Sequence, residues 1–226
     1  MTDYTLYYWP IPFRGHFIRY VLAFAEARWD EPGTDALTSL KSRAPQDQPY
    51  PFMAPPLLVD HEAGRSLSQM PAILMYLGRC HELLVDPDRD LRLICDASDI
   101  LFEITRYHGT AMWDADSWAA FSTTRLPRWM QLHEMLVQTS GAEGYLDGGA
   151  EPMLGDLVLA ALWHTMVDRL PPLRPLLESQ APATAALVDR VAALPRIAAM
   201  RDGWKARAPR YCAGQIEVSL CEVLKI

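Results

Sequence analysis

The chain has 226 residues, half of them hydrophobic and 22% charged, enough apolar material for a sizeable core and too much for wholesale disorder. Its 21 basic and 28 acidic side chains give a net charge of −7, which argues against binding nucleic acid through a generally basic surface. The four cysteines, Cys80, Cys95, Cys212 and Cys221, form no C-x-x-C pair, so neither a zinc knuckle nor a dithiol redox motif is written here. Met1-Thr2-Asp3-Tyr4 has no basic region followed by an apolar stretch, so no signal peptide is read. The longest purely apolar run, Leu157 to Trp163, is far too short to cross a bilayer. The expectation is a cytoplasmic protein with free thiols and no membrane or nucleic-acid partner.

Residues 4 to 9, Tyr-Thr-Leu-Tyr-Tyr-Trp, are aromatic and β-branched and predict a strand. Pro10-Ile11-Pro12 ends it, because proline donates nothing to a ladder. Phe17, Ile18, Val21, Leu22 and Ala25 recur at helical spacing. A second strand begins near Arg28 to Glu31, and a short helix lies near 36 to 42 within a Pro- and Ser-rich stretch. Pro56 to Asp60 predicts a third strand, followed by a turn over His61 to Arg65 and an exit through Ser66-Leu67-Ser68. Pro71 opens a helix through Leu77, in the first turn where its missing N–H costs little.

From Asp86 onward the pattern is helical. Leu93, Ala97, Ile100, Leu101, Ile104 and Tyr107 form one apolar stripe. Leu126 to Gln138 predicts a further helix. Gly155 to Val167 is apolar nearly all round and predicts a buried one. Ala183 to Met200 is helical, with a break at Pro195. The change of character places a boundary near residues 80 to 88, between a small α/β domain and an all-α domain.

Several of these segments match a family. Tyr4-Thr5-Leu6-Tyr7-Tyr8-Trp9-Pro10, then Phe13-Arg14-Gly15 and Ile18-Arg19, resembles the opening of tyrosine-type, bacterial-like cytosolic glutathione transferases. Pro55-Pro56-Leu57-Leu58-Val59-Asp60 is similar to that family's cis-proline strand. Leu67-Ser68-Gln69-Met70-Pro71-Ala72-Ile73-Leu74-Met75-Tyr76-Leu77 resembles its Gln/Glu-Ser-x-Ala-Ile-x-x-Tyr-Leu segment, and Gly155-Asp156 resembles the start of its buried core helix. The resemblance implies a thioredoxin-like N-terminal domain over residues 1–82, binding glutathione. It also implies an all-α C-terminal domain over residues 88–226, contributing an electrophile pocket. It further implies a cytoplasmic homodimer serving detoxification, with glutathione as co-substrate and no metal.

In the family the residue at Tyr8 holds the glutathione thiolate, which attacks an electrophilic carbon. A free thiol titrates near about 8.5, and a phenol donating to the sulfur favours the thiolate. Tyr7 is the competitor, and strand alternation puts the two on opposite faces. No serine or cysteine lies between Tyr8 and Tyr20, which disfavours the serine- and cysteine-dependent branches. Gln69 matches the position contacting the γ-glutamyl end. Trp9 is placed beside the glycyl end, where Lys41 and Arg43 offer cations. Arg14 and His16 open the first helix.

Two departures stand out. The family serine after Gln/Glu is Met70 here, and the residue before the cis-proline, which normally offers both N–H and C=O, is Pro55. Losing one charge-assisted and one neutral hydrogen bond costs on the order of 2–4.5 kcal/mol, roughly 30- to 2000-fold in affinity, unless Ser68 or the backbone amides opening the helix compensate. An electrophile pocket is expected from Pro10, Ile11, Pro12 and Phe13, with Tyr107, His108 and Trp113 from the first long helix. Asp156 is read as a structural cap, the more so because the usual Ser/Thr three residues earlier is Met153. His61-Glu62, His81-Glu82 and His133-Glu134 each lack the second histidine of a zinc-protease helix. The rival to a transferase is a noncatalytic protein of the same fold that binds a ligand or partner. A glutathione-dependent peroxidase, isomerase or lyase is the third reading.

Overall fold

The computed structural model describes residues 2–139, 144–207 and 210–226. Its N-terminal part is a four-stranded sheet in the order β2-β1-β3-β4. β1 (Tyr4–Tyr7) runs parallel to β2 (Trp29–Asp30) and antiparallel to β3 (Leu57–Asp60), which pairs antiparallel with β4 (Arg65–Ser68). The first strand is two residues shorter than its composition suggests. Tyr7 opposes Leu57, the first residue of β3. Beyond it stand Pro56 and Pro55, neither of which has an N–H for a ladder. Tyr8 and Trp9 are therefore released from the sheet at its edge.

α1 (Phe13–Phe24) and α3 (Met70–Cys80) pack together against one face of the sheet, and α2 (Thr34–Lys41) covers the other. Leu6, Leu58, Phe17, Val21, Ile73 and Leu77 join the main core. Leu37, Leu40, Phe52 and Leu57 form a separate small cluster on which Tyr7 and Trp9 rest. The Pro55–Pro56 peptide is cis.

The C-terminal part is helical: α4 (Pro87–Ile104), the single turn α5 (Arg106–Gly109), α6 (Ala115–Ala120), α7 (Leu126–Thr139), α8 (Leu154–Leu159), α9 (Thr165–Arg169), α10 (Arg174–Gln180), α11 (Pro182–Ala192), α12 (Pro195–Asp202) and α13 (Gln215–Leu224). Wider turns at Phe121–Arg125 and Ala160–His164 join α6 to α7 and α8 to α9. The α8–α9 rod is the expected buried helix: Leu154, Leu157, Leu159, Ala160, Leu162 and Trp163 have no solvent exposure. Pro195 opens α12, so the break expected there falls between α11 and α12. Tyr107, by contrast, leaves the stripe it was assigned to. α4 ends at Ile104, and Tyr107 is exposed.

Carboxylates organise the helix ends, Asp86 from the surface and Asp156 and Glu134 from the interior. Asp86 accepts from Arg89 N–H at the start of α4 (3.1 Å). Asp156 accepts from the N–H groups of Met153 (3.0 Å) and Leu146 (2.9 Å), which tie the chain before α8 to the helix. Burial pushes its carboxyl up to about 6, against the lowering effect of those two donors. Glu134, from the middle of α7, accepts the N–H groups of Ala183 and Thr184 and the Thr184 hydroxyl, capping α11 from outside. Its neighbour His133 accepts from Trp163 Nε1 at 2.8 Å. The His133-Glu134 pair thus holds helices together. Among the described residues no three His, Cys, Asp or Glu side chains gather as a metal site, and no helix is long and apolar enough to cross a membrane.

Candidate active site

A cleft of about 550 Å³ lies where the sheet edge meets the helices. One wall comes from the N-terminal part: Trp9, Lys41, Ala54, Pro55, Pro56, Gln69, Met70 and Pro71. The other comes from α4, the turn after it and the C-terminal segment: Ser98, Thr105, His108, Cys212, Ala213 and Ile216. Tyr8, Ile11, Phe13 and Arg14 form the floor between them.

Tyr8 reaches this floor because β1 stops one residue earlier. Its ring packs closely against the first turn of α1, where residue 15 is glycine. A Cβ there would collide with Tyr8 Cδ1 and stand 2.8 Å from Arg19 Nη1 and 2.9 Å from Tyr8 Cε1. Burial pushes the Tyr8 hydroxyl up to about 12, against the opposing pull of the Arg14 and Arg19 charges and of a backbone N–H from Arg14. At neutral pH it is therefore a protonated phenol, a donor and not a base. We expect Gly15→Ala to displace that ring and to destabilise the fold by about 1–3 kcal/mol, as overpacking does. Urea denaturation and steady-state kinetics on one preparation check both effects.

The loop Trp9–Pro12 is held from beneath by Arg19, which has no solvent exposure. Its guanidinium donates to Ile11 O (2.7 Å) and Trp9 O (3.3 Å) and forks onto the Glu31 carboxylate (2.9 and 2.7 Å). It also donates to His16 Nδ1 (3.1 Å) and stacks 4.1 Å from the Trp204 ring centre. His16 is held well below its ordinary pKa by burial and by the arginines around it, so it stays neutral. Its role is to accept from Arg19 inside the fold, and it does not reach the cleft.

Arg14 does reach the cleft, 4.9 Å from the Phe13 ring centre. Its charge and that of Lys41 make the floor and one rim cationic. Arg43 does not line the cleft. Gln69 is exposed at its mouth, in a left-handed backbone conformation (φ 73°) that starts α3. Met70 is almost fully buried in the core, and as the first residue of α3 its backbone N–H has no carbonyl four residues back within the helix. Pro71 has no N–H, so Met70 and Ala72 carry the free amides there. Ser68 sits in the β4 ladder opposite Leu57 and is not a cleft residue.

The electrophile wall differs from the sequence expectation. Ile11, Phe13 and His108 line the cleft, but Pro10, Pro12, Tyr107 and Trp113 do not. Pro10 is exposed, and Pro12 is buried beneath the loop. Trp113 is anchored by its Nε1 donating to Ile104 O (2.8 Å). Arg106, Tyr107 and His108 are all left-handed (φ 46°, 60°, 60°), a conformation costing roughly 1–2 kcal/mol per non-glycine residue. This sharp reversal leaves His108 in the cleft and Tyr107 outside it. The replacements come from the C-terminal segment, which no short motif marks. Glu217 accepts from the N–H groups of Tyr211 and Cys212, and Arg169 donates to the carbonyls of Trp204, Lys205 and Arg207. These two buried charges pin the strap that carries Cys212 and Ala213. Burial and the Glu217 carboxylate raise the Cys212 thiol above its ordinary pKa, which disfavours its thiolate.

The segment from α4 to α13 matches a known family model, the glutathione S-transferase C-terminal domain, over residues 90–223, more than half of the chain. The chain belongs to the glutathione S-transferase family. Several solved structures share the transferase fold. The Pi-class glutathione S-transferase of Onchocerca volvulus has 20% identity, covering 90% of this chain and 94% of that one, with a TM-score of 0.72. The glutathione S-transferase from Ascaris lumbricoides has 21% identity, covering 92% and 99%, with a TM-score of 0.66. Prostaglandin synthase D of Nilaparvata lugens has 19% identity, covering 92% and 100%, also with a TM-score of 0.66. No curated protein sequence matches this transferase-family chain. The fold expected from the sequence, a small α/β domain followed by a helical one, is the fold observed.

Proposed function

We propose that the protein is a tyrosine-type glutathione transferase that joins the sulfur of glutathione to a hydrophobic electrophile. The observation that carries this reading is the placement of a protonated Tyr8 hydroxyl on the floor of a cationic cleft beside Arg14. The division is residues 1–82 for glutathione and 88–226 for the electrophile wall. Glutathione is an extended anion with a single thiol. The Pro55 carbonyl would accept from its cysteinyl N–H, and Gln69 and the free amides of Met70 and Ala72 would face its γ-glutamyl end. Lys41 and Trp9 would flank its glycyl carboxylate. The Tyr8 hydroxyl would donate to the sulfur, whose proton leaves to solvent, and Arg14 would add a nearby positive charge. The thiolate then forms a carbon–sulfur bond, and the electron pair leaves with the departing group or is taken up by a conjugated acceptor. The aromatic and aliphatic lining, Ile11, Phe13, His108 and Ile216, suits a flat apolar partner. Cytoplasmic location, homodimer formation and a detoxification role belong to the same proposal.

Calorimetric titration with glutathione tests the reading, with millimolar-range binding expected because of Pro55 and Met70. Absence of heat at that concentration would leave the rival, a noncatalytic ligand-binding member of the family. Met70→Ser is expected to tighten glutathione by about 1.5–3 kcal/mol through the restored hydroxyl. It should also destabilise the fold by about 2–5 kcal/mol, because the methionine side chain fills the core. The titration and a thermal melt on the same sample separate the two effects.

A further inference from the structure

The N-terminal wall of the cleft is short of backbone donors where a thiol co-substrate would lie. Tyr7 opposes Leu57 at the end of the β1–β3 ladder. Continuing that antiparallel register sets Tyr8 abreast of Pro56 and Trp9 abreast of Pro55, and all four residues line the cleft. A strand edge ordinarily holds an extended amide chain through paired contacts, an N–H donated and a carbonyl offered. Pro55 and Pro56 have carbonyls and no N–H, and Pro71 on the same wall has no N–H either. Pro55 is half-buried and Pro56 buried, whereas Gln69 and Lys41 are exposed. The Lys41 ammonium lies 5.9 Å from the Trp9 ring centre. Beside the Tyr8 hydroxyl, the backbone at residues 55 and 56 therefore accepts hydrogen bonds and donates none.

We propose that this wall sets the class of thiol the protein accepts: N-acylated aminothiols in general, recognised by the amide N–H on the acyl side of the thiol arm, with the carbonyl on its other side left unread. The proposal rests on the transferase reading above and makes its co-substrate broader than glutathione. In a cysteinyl thiol, the carbon bearing the thiol arm carries an amide N–H on one side and a carbonyl on the other. The Pro55 carbonyl answers the N–H. The carbonyl meets proline, so a co-substrate without it loses no hydrogen bond at this wall. An N-acylcysteamine is such a thiol: it keeps the amide N–H and the sulfur at the same separation and has no second carbonyl. A carbonyl that leaves water without gaining a donor is a cost to the thiol that carries it, which narrows the difference between the two classes further.

The test compares glutathione with γ-glutamylcysteamine, which keeps the γ-glutamyl group, its amide and the thiol, and lacks the second carbonyl and the glycyl unit. Affinity is read by calorimetry on the full chain. Conjugation is read with chlorodinitrobenzene, where the carbon–sulfur bond forms as chloride leaves with its electron pair and the thiol proton passes to solvent. The wild type is expected to prefer glutathione by no more than about fivefold, the effect of one exposed ion pair between Lys41 and the glycyl carboxylate. Pro55→Val, which restores an N–H, should raise that preference by a further factor of about 2 to 13, the effect of one neutral hydrogen bond. Pro55→Ala makes the same change where the valine variant fails to fold, and the wild-type comparison needs neither. A wild-type preference above about fivefold, or a preference that does not rise in the variants, would overturn the proposal and leave a transferase specific for glutathione. No binding of either thiol would overturn the transferase reading and the proposal with it.

Discussion

Tyr8→Phe is expected to lower kcat/KM for conjugation of an aromatic electrophile by about 10- to 150-fold at pH 7. The change removes one oxygen and leaves a ring of nearly the same shape packed on Gly15, so the cleft keeps its form and the KM for glutathione should move little. The oxygen removed is the donor to the sulfur. A hydrogen bond to a charged group is worth about 1.5–3 kcal/mol, which converts to that range of rate and to about 1–2 units in the thiol pKa. The pH profile of kcat/KM should therefore move upward, and part of the lost rate should return as the pH is raised. Tyr7→Phe is the control: that ring leans on the cluster of Leu37, Leu40, Phe52 and Leu57 on the other side of the sheet. Less than about a threefold loss for Tyr8→Phe at every pH would remove the phenol from its assigned role.

Arg19→Leu should be the most destabilising single change in the N-terminal domain, at about 3–5 kcal/mol. The loss is larger than that of a surface ion pair, because the arginine has no solvent exposure and its partner Glu31 is only partly exposed. Removing the guanidinium leaves the Glu31 carboxylate with Trp29 Nε1 (3.2 Å) as its donor and takes away the donor to the Ile11 carbonyl, while Trp9 O keeps the N–H of Ile11 (2.8 Å). It also removes the flat surface against which Trp204 stacks, and with it the link between the loop after β1 and the C-terminal strap. Activity should fall together with the urea midpoint, because Tyr8 precedes and Ile11 belongs to the loop that loses its support. Glu31→Gln, which removes the charge and keeps one of the two accepting oxygens, should cost less than Arg19→Leu. Equal stability of Arg19→Leu and the wild type would mean that the buried fork holds nothing in place.

These elements differ in how far local sequence announces them. The break at Pro195, the buried helix after Gly155 and the sheet-to-helix change near residue 86 were legible because proline chemistry and apolar periodicity act over a few residues. The exact end of β1 was not, since it is set by where Leu57 begins the neighbouring strand fifty residues away. The N-terminal half of the cleft could be expected for the same local reason: Tyr8, Trp9, Pro55, Pro56, Gln69 and Met70 sit in recognisable segments. Ser98, Thr105, Cys212, Ala213 and Ile216 enter only through packing. The apolar spacing of Ile216, Leu220 and Leu224 was present as a sign of α13, but nothing local says that Glu217 folds the preceding strap back over the floor. Tyr107 and Trp113 were drawn toward the cleft by helical spacing, and the reversal after Ile104 sends them to a separate cavity instead.

The most direct measurement is the ultraviolet thiolate absorbance of glutathione bound to the wild-type protein, followed as a function of pH. The bound thiol is expected to titrate at least about one unit below the free value of about 8.5. A bound thiol titrating at the free value would contradict it, however tightly the tripeptide is held.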